Sequence, residues 1–379
     1  MSSSEKWPGR LALMVAHCAG MVDLVALPVW VGALMGYYKF DPQHAGGLVT
    51  LFLAGAVVAS LFFSARFNRY PVRLMVSGAF ALASLLFLTL STVSDYATMA
   101  VLHLGAGLAA GCGLSFTHGT IGRSARPHFL FAMVGIALGV FAVVFLGATP
   151  KLVDQLGGEA LFVAFGGVMA VAAVTALMAF PRHQANEAVD GERAQQTPLS
   201  WSVKFCVVGV TLMSLVQAMT FSFVERMGSD RGFSVEAITG VFIALGLFNL
   251  VPPALAAALE KRLAAGWVLV LGPIVQACIA LLITLSVQFV PFAAGAILFT
   301  AVMIFTHTFA FGTLARLDPT GRATAATPAM LMVGSAIGPL LGGTLVKFFG
   351  YTSLGIAAAV LGLIAVSLFR QVRAQPVSA

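Results

Sequence analysis

Residues 129–149 read FLFAMVGIALGVFAVVFLGAT, an apolar run that contains no charged side chain and lies between Arg126 and Lys151. A helix needs about 20 mostly apolar residues to cross the hydrocarbon core of a bilayer, so this run predicts a membrane-spanning helix. It is too long and too continuous for a strand of a membrane barrel, in which segments of about 10 residues alternate in polarity.

The composition of the whole chain extends this prediction. Hydrophobic residues make up 59% of the 379 residues and charged residues only 9%, whereas a soluble domain carries roughly 25% charged residues. So few charges cannot cover the apolar surface, which excludes a soluble enzyme, a disordered chain and a disulfide scaffold. The sequence therefore predicts an all-α polytopic membrane protein.

Twelve runs along the chain are long and apolar enough to cross a membrane. They are numbered here as spans 1 to 12 and lie at 11–34, 45–65, 73–93, 97–120, 129–149, 158–180, 204–224, 236–257, 266–287, 291–314, 325–347 and 352–370. Span 1 contains Asp23 and lacks a small-residue cleavage site, so we expect it to be a retained helix and not a signal peptide.

The basic residues are distributed unevenly between the two sides of these spans. If the N-terminus lies inside, 16 of the 21 Lys and Arg residues fall on the inner side and five on the outer side. Cytoplasmic loops of membrane proteins carry an excess of Lys and Arg. We therefore expect a multi-pass protein of the inner (plasma) membrane with both termini in the cytoplasm. The same distribution accounts for the net charge of +7 without a nucleic-acid partner.

The polar stretch 181–200 separates six spans from six spans, and the two halves resemble each other. Residues 119–123 (GTIGR) end span 4 and residues 312–316 (GTLAR) end span 10, while 133–139 (MVGIALG) and 332–338 (MVGSAIG) lie in spans 5 and 11. Parallel six-span repeats with a site between them are a transporter architecture. The sequence predicts an N-terminal half at 1–180, a cytoplasmic linker at 181–200 and a C-terminal half at 201–379.

These features resemble the major facilitator superfamily, which has six plus six spans, a polar central loop and both termini inside. The family signature between spans 2 and 3 is roughly Gly-x-x-x-Asp-Arg-x-Gly-Arg-Arg, and residues 61–70 read LFFSARFNRY, so that Arg66 and Arg69 match while Ala65 replaces the acid. The resemblance implies a twelve-helix transporter of two pseudo-symmetric halves that rock about a central cavity. It also implies gating at the inner face, which we assign to Arg66, Arg69, Arg73 and Arg123.

Asp23 is the most informative polar residue of the spans. It lies 12 residues into predicted span 1, near the middle of the membrane, and no basic residue lies close to it in the sequence. An ionisable side chain at this depth costs about 3 kcal/mol on insertion scales, so such residues usually serve a function. We expect Asp23 to bind the coupling proton or a cationic substrate group, although a structural contact with a polar helix is the alternative.

A second set of residues completes the expected site. Trp7 and Trp201 place Gln217 at the position of span 7 that corresponds to Asp23 in span 1. Histidine titrates near neutrality and can relay protons. The candidate proton-coupling residues are Asp23, His118 and His307; the candidate substrate-binding residues are Asp23, Trp30, Gln217, Phe221 and His307; and Glu225 is expected at an outer gate. The alternatives are hydrogen bonds between helices for Gln217 and the histidines, packing for Trp30 and Phe221, and a solvated pair with Arg226 at the rim for Glu225.

Motifs of enzymes and cofactors are missing from the sequence. The four cysteines lie singly inside apolar runs without the spacing of metal ligands, and no phosphate loop, HExxH or GxSxG motif occurs. We expect no enzymatic activity, no cofactor and no metal.

The sequence favours proton-coupled secondary transport of a small amphipathic or cationic molecule, by efflux in exchange for protons. No Lys or Arg lies at the centre of a span, which disfavours a strongly anionic substrate. Proton-coupled uptake of a small metabolite is the alternative, and a non-transporting membrane receptor is a further one. The expected partners of a monomeric transporter are the substrate, protons and the lipid bilayer.

Overall fold

The structure is a computed structural model that describes residues 6–64, 66–124, 126–181, 199–318, 323 and 327–372. In these residues the chain is helical throughout, without a strand, and twelve helical segments are long and apolar enough to cross a membrane. The predicted fold class and the number of spans are therefore confirmed. Most of the predicted linker lies outside the described residues, as do four of the basic residues assigned to the inner side: Arg182, Arg193, Arg322 and Arg373.

The helices begin and end close to the predicted bounds. In the first six spans they are Trp7–Gly20 and Val22–Gly36 in span 1, Pro42–Ser64 in span 2, Val72–Leu90 in span 3, Tyr96–Gly122 in span 4, Pro127–Leu156 in span 5 and Glu159–Ala179 in span 6. In the last six spans they are Trp201–Phe221 and Val224–Asp230 in span 7, Val235–Phe248 and Val251–Leu259 in span 8, Ala265–Leu285 in span 9, Phe289–Leu317 in span 10, Thr327–Phe349 in span 11 and Thr352–Phe369 in span 12.

Local sequence explains several helix starts. Asp95, Ser200 and Ser234 each precede a helix in extended backbone, and the side chain of each accepts a hydrogen bond from a backbone N–H of the first turn. Such caps satisfy amide groups that have no partner inside the helix. Apolar length thus defines the spans, and short polar residues define where several of them begin.

Three spans are broken into two helices. Span 1 is interrupted at Met21, whose backbone leaves the helical region, and span 7 is interrupted at Ser222 and Phe223. Span 8 breaks before the pair Pro252 and Pro253, because proline lacks the amide N–H that a continuous helix needs. Breaks inside the membrane are tolerated where the backbone is covered by protein or faces a cavity.

An even number of crossings places residues 6 and 372 on the same face of the molecule. We call this the terminal face and the opposite one the distal face. Spans 1, 3, 5, 7, 9 and 11 end at the distal face, whereas spans 2, 4, 6, 8, 10 and 12 begin there.

Candidate functional site

In the described residues the main contacts between the first six and the last six spans are those of span 2 with span 11, span 5 with span 8, and the second helix of span 1 with both helices of span 7. The contact of spans 2 and 11 lies toward the distal face. There Gly46 lies against the carbonyl of Pro339, and Gly343 lies against the carbonyl of Pro42, so closely that a Cβ atom at either glycine would overlap the backbone oxygen. Small residues permit this close approach of helices.

Hydrogen bonds reinforce the same contact. The ammonium of Lys347 at the end of span 11 donates to Asp41 Oδ2 over 3.0 Å and to Gln43 Oε1 over 3.2 Å. The backbone N–H of Leu340 donates to Thr50 Oγ1 over 3.1 Å. Within the described ranges, every hydrogen bond between the first six and the last six spans lies here, near the distal face.

Asp41 is held ionised by its partners in this contact. Burial alone would raise its pKa, but hydrogen bonds from the His44 amide, the Lys347 ammonium and the His44 ring outweigh it, so the pKa of Asp41 is below its usual range. The His44 amide and ring nitrogens lie 2.9 and 2.8 Å from the carboxylate. The charge pair with Lys347 is therefore present throughout the physiological pH range.

Glu225 lies at the contact between spans 1 and 7. A Cβ atom at Gly32 would coincide with the Glu225 carboxylate, which shows that the acid lies directly against span 1. Its charged neighbour Arg226 forms an ion pair with Asp230 at 2.7 Å. The predicted position of Glu225 near the outer end of span 7 thus coincides with a contact across the two sets of spans.

Asp23 lies in the first turn after the break of span 1 and is 5% exposed. Its Oδ1 atom is buried and has no hydrogen-bond partner in the described structure. Asp23 and Trp30 are seven residues apart and share one face of the helix, whereas Gly32 is nine residues from Asp23 and lies on the opposite face. Because Gly32 faces span 7, the Asp23 side chain points away from span 7 and into the first six spans.

Trp30 lies inside the first six spans. Its indole is fully buried and its ring centroid lies 4.7 to 6.0 Å from those of Phe52, Phe87, His103 and Phe165, which belong to spans 2, 3, 4 and 6. This placement does not favour the expected substrate-binding role, because four neighbouring spans cover the ring. In this structure the Trp30 ring serves packing between helices.

Two histidines meet on the terminal side of Asp23. His17 Nδ1 in span 1 lies 3.0 Å from His118 Nε2 in span 4, with ring centroids 5.1 Å apart. His118 also packs against Phe131 of span 5 at 5.7 Å. His118 thus has a second histidine as its hydrogen-bond partner. Of the two facing nitrogens, His17 Nδ1 and His118 Nε2, one must donate and the other must accept.

Gln217 belongs to a polar cluster in the last six spans. Its Nε2 donates to Thr300 Oγ1 in span 10 over 2.8 Å, and its Oε1 accepts from Gln276 Nε2 in span 9 over 3.4 Å. Gln276 also donates to the carbonyl of Met213 over 3.1 Å. Sequence reasoning missed Gln276 and Thr300, since single amides and hydroxyls inside spans are common; the position of Gln276 inside a long apolar run was the available signal.

His307 shares a face of span 10 with this cluster. Thr300, His307 and Phe311 are seven and four residues apart, which places them on one side of the helix, and all three are partly exposed. The rings of His307 and Phe311 lie 4.9 Å apart, and His307 Nδ1 is buried without a partner in the described structure. Phe221, by contrast, is 5% exposed and packs on Phe242 of span 8 at 6.5 Å.

Two arginines near the signature loop stack on aromatic rings at the terminal face. The Arg66 guanidinium lies 3.9 Å from the Phe62 ring centroid and donates to the Phe62 carbonyl over 3.0 Å. The Arg123 guanidinium lies 4.0 Å from the ring of Phe67, which belongs to the loop between spans 2 and 3. Both contacts lie within the first six spans.

The other two predicted gating arginines differ in their surroundings. Arg73 Nε donates to the Phe180 carbonyl over 2.8 Å and so joins the start of span 3 to the end of span 6. Arg69 is exposed. The structure brings none of the four arginines into contact with the last six spans in the part of the chain that it describes, so gating remains a prediction for them.

The described residues contain no group of three or more His, Cys, Asp or Glu side chains that could hold a metal ion. Among the described titratable groups of the spans, His17 and His118 form a pair, and Glu225 lies beside the ion pair of Arg226 and Asp230. What these groups can do chemically is bind and release protons.

Comparison with known proteins identifies the family. Residues 12–327 match the sequence profile of the Major Facilitator Superfamily. The chain belongs to this superfamily. Among curated proteins no match was found.

Solved structures share the fold of this superfamily member. One is a bacterial homolog of the human lysosomal transporter Spinster in an inward-facing and unoccupied conformation, with a TM-score of 0.74, 12% identity, and coverage of 98% of this chain and 100% of that one. Another is the nucleoside transporter NupG, with a TM-score of 0.75, 14% identity, and coverage of 95% and 98%. At these identities the likeness shows the fold, and transport is the function of the family.

Proposed function

We propose that the chain is a proton-coupled secondary transporter that works by alternating access. Residues 1–180 and 201–379 are the two moving bodies and 181–200 connects them. The observation that carries the proposal is the arrangement of the contacts between the bodies: spans 1, 2 and 5 meet spans 7, 11 and 8, and the hydrogen-bonded contact lies near the distal face. A state that is closed on one side is what alternating access requires.

The terminal face is the cytoplasmic side of the inner membrane in this proposal. The excess of Lys and Arg on that face supports this orientation. The present structure, with its distal face held by spans 2 and 11, then corresponds to a state that gives access from the cytoplasm.

Protons supply the driving force. The candidates for the coupling proton are the membrane-embedded groups Asp23, Glu225, His118 and His307. An ionised carboxylate without a partner is costly inside a protein, so a buried acid such as Asp23 or Glu225 binds a proton when its surroundings exclude water. We propose exchange, in which substrate leaves the cell as protons enter.

The substrate is a small amphipathic molecule that is neutral or cationic. The partly exposed Gln217 and Thr300 offer uncharged polar groups, and the partly exposed Phe311 adds an aromatic face beside His307. In the described structure the Lys and Arg residues lie near the ends of the helices, so an anion would find no fixed cation at the middle of the membrane. A monomer in the bilayer is the proposed working unit.

Proton movement driven by substrate tests the proposal. Purified protein is reconstituted into liposomes that contain a pH-sensitive dye, and ethidium serves as the amphipathic cation, with an uncharged and an anionic aromatic compound of similar size as comparisons. We expect ethidium movement in one direction to drive protons in the other. Movement of both in the same direction indicates symport, and transport without proton movement contradicts the proposed coupling.

A further inference from the structure

Glu225 lies on the side of span 7 that faces span 1. In the proposed transport cycle the surroundings of this side change. Its carboxylate packs against Gly32 of span 1, across the contact between the first six and the last six spans. When the distal face opens, spans 1 and 7 separate, and the carboxylate passes from a half-buried position to water. We propose that Glu225 binds the coupling proton, and this proposal rests on the proposed proton-coupled function.

A coupling group must bind its proton with different affinity in the two states of the transporter. A ligand shifts a conformational equilibrium only by its differential affinity for the two states. Glu225 meets this condition, because the contact with Gly32 exists only while the distal face is closed. Asp23 does not meet it in the same way, because its side chain points into the first six spans and away from span 7.

Burial against span 1 favours the protonated form of Glu225 in the closed state, whereas the charge of Arg226 favours the ionised form and the charge of Asp230 opposes that of Arg226. On its own helix, Arg226 is engaged by Asp230 at 2.7 Å. On span 1, Tyr37 follows Gly36, and burial raises the pKa of Tyr37, with the charges of Asp154 and Glu225 raising it further. Tyr37 is therefore neutral at physiological pH, and it brings no positive charge to the carboxylate.

The neighbouring elements bring both charged and apolar groups near the distal end of span 7, and Lys39 after span 1 donates to the Gly36 carbonyl. Asp154 at the end of span 5 is acidic, while span 8 and span 10 contribute Ile238 and Phe292, which pack beside Gly228. Tyr351 at the start of span 12 donates its hydroxyl to Asp230 over 2.6 Å. An ionised Glu225 would thus be enclosed next to a second carboxylate, without a described hydrogen-bond donor.

The order of events follows from this geometry. With the distal face open, Glu225 exchanges protons with the medium on that side. Closure brings the carboxylate against Gly32 and removes part of its contact with water, which costs less free energy for the protonated acid than for the ionised one. Release toward the terminal side, where Gln217 and His307 follow on spans 7 and 10, completes the cycle.

The experiment measures distal closure as a function of pH and needs no substrate. Spin labels are placed at Ser94 and Val287, which are exposed in distal loops of the first and the last six spans, after replacement of the four native cysteines by serine. If the proton affinity of Glu225 differs by one pKa unit between the two states, we expect the ratio of molecules with the short distance to molecules with the long distance to fall by up to about tenfold from pH 5.5 to pH 8.5.

Four variants separate Glu225 from other acids. Glu225→Gln, which mimics the protonated acid, is expected to stay closed at both pH values. Asp23→Asn and Glu236→Gln, an exposed carboxyl at the same face, are expected to keep the pH response. Glu225→Asp retains a carboxyl and should also keep it, with a shifted midpoint.

A pH response that persists in Glu225→Gln, or that is lost in a folded Asp23→Asn or Glu236→Gln protein, overturns the inference. Loss of the response in a folded Glu225→Asp protein also overturns it, and so does a wild-type protein without any response. The liposome experiment remains independent: if no compound moves protons, the proposed function fails, whereas proton movement that is unchanged in Glu225→Gln removes only the role of Glu225.

Discussion

The ammonium of Lys347 lies 3.0 Å from Asp41 Oδ2, although the two residues are 306 positions apart in the chain. This contact joins the start of span 2 to the end of span 11. Since one residue belongs to the first six spans and the other to the last six, the pair must break whenever the distal face opens. Its strength therefore enters the balance between the two states.

Removing the ion pair of Asp41 and Lys347 should lower the ratio of molecules with a closed distal face to molecules with an open one by a small factor. Exposed pairs contribute about 0.2–1 kcal/mol, so Asp41→Asn and Lys347→Gln should each lower the ratio of closed to open molecules by roughly 1.4- to 5-fold. The distance between labels at Ser94 and Val287 reports this ratio. Charge reversal at both positions, Asp41→Lys with Lys347→Asp, should restore it, and failure of the double variant to recover would argue against a direct pair.

Asp41 should contribute nothing to a pH response between pH 6 and pH 8. The hydrogen bonds of its carboxylate hold its pKa below the usual range, and for an acid with a lowered pKa the stabilisation is present above the ordinary pKa and is lost only as the pH falls through the lowered value. The Asp41→Asn protein should therefore show the wild-type dependence of distal closure over this interval. If the pH response of distal closure disappears in Asp41→Asn, the titrating group is Asp41 and not Glu225.

A methyl group at Gly46 should prevent the distal face from closing fully. The Cβ atom would overlap the carbonyl oxygen of Pro339, a backbone atom that cannot move aside. We expect Gly46→Ala to shift the label distance toward the open state and to slow turnover. Gly167→Ala is the matched control, because a Cβ atom at Gly167 meets nothing within 4 Å. Equal behaviour of the two variants would show that the close approach of spans 2 and 11 is not limiting.

The pair of His17 and His118 should behave as one unit in unfolding experiments. Replacing either ring by leucine leaves the nitrogen of the other without its partner, which typically costs about 1–3 kcal/mol. His17→Leu and His118→Leu should each lower the melting temperature in detergent, and the double variant should lose less than the two effects combined. Strict additivity would mean that the contact of 3.0 Å carries no energy.

The membrane-spanning helices are predictable from the sequence because each one is marked by its own continuous run of apolar residues. A run such as 129–149 needs no knowledge of its neighbours to be recognised as a membrane helix, and the observed helix Pro127–Leu156 contains it. The positions of helix breaks are not predicted in spans 1 and 7, because Phe223 has no breaking residue beside it and Gly20, which precedes Met21, is one of many glycines inside the spans.

The site was harder to predict because it depends on which face of a helix its neighbours cover. Trp30 was expected to line a pocket, but rings from four other spans surround it. Asp23 was recognised as an unusual acid, yet its direction follows only from the position of Gly32 against span 7. The pair of Asp41 and Lys347 could not be found from sequence spacing at all.

The central claim is that the two sets of spans open one face as they close the other. Label pairs report both faces: Ser94 with Val287 on the distal face, and Gly122 with Glu260 at exposed ends of spans 4 and 8 on the terminal face. Both distances are measured in the wild-type protein and in Gly46→Ala. We expect the variant to have a longer distal distance and a shorter terminal distance than the wild type. Two distances that lengthen together, or a terminal distance that does not respond to distal opening, would contradict it.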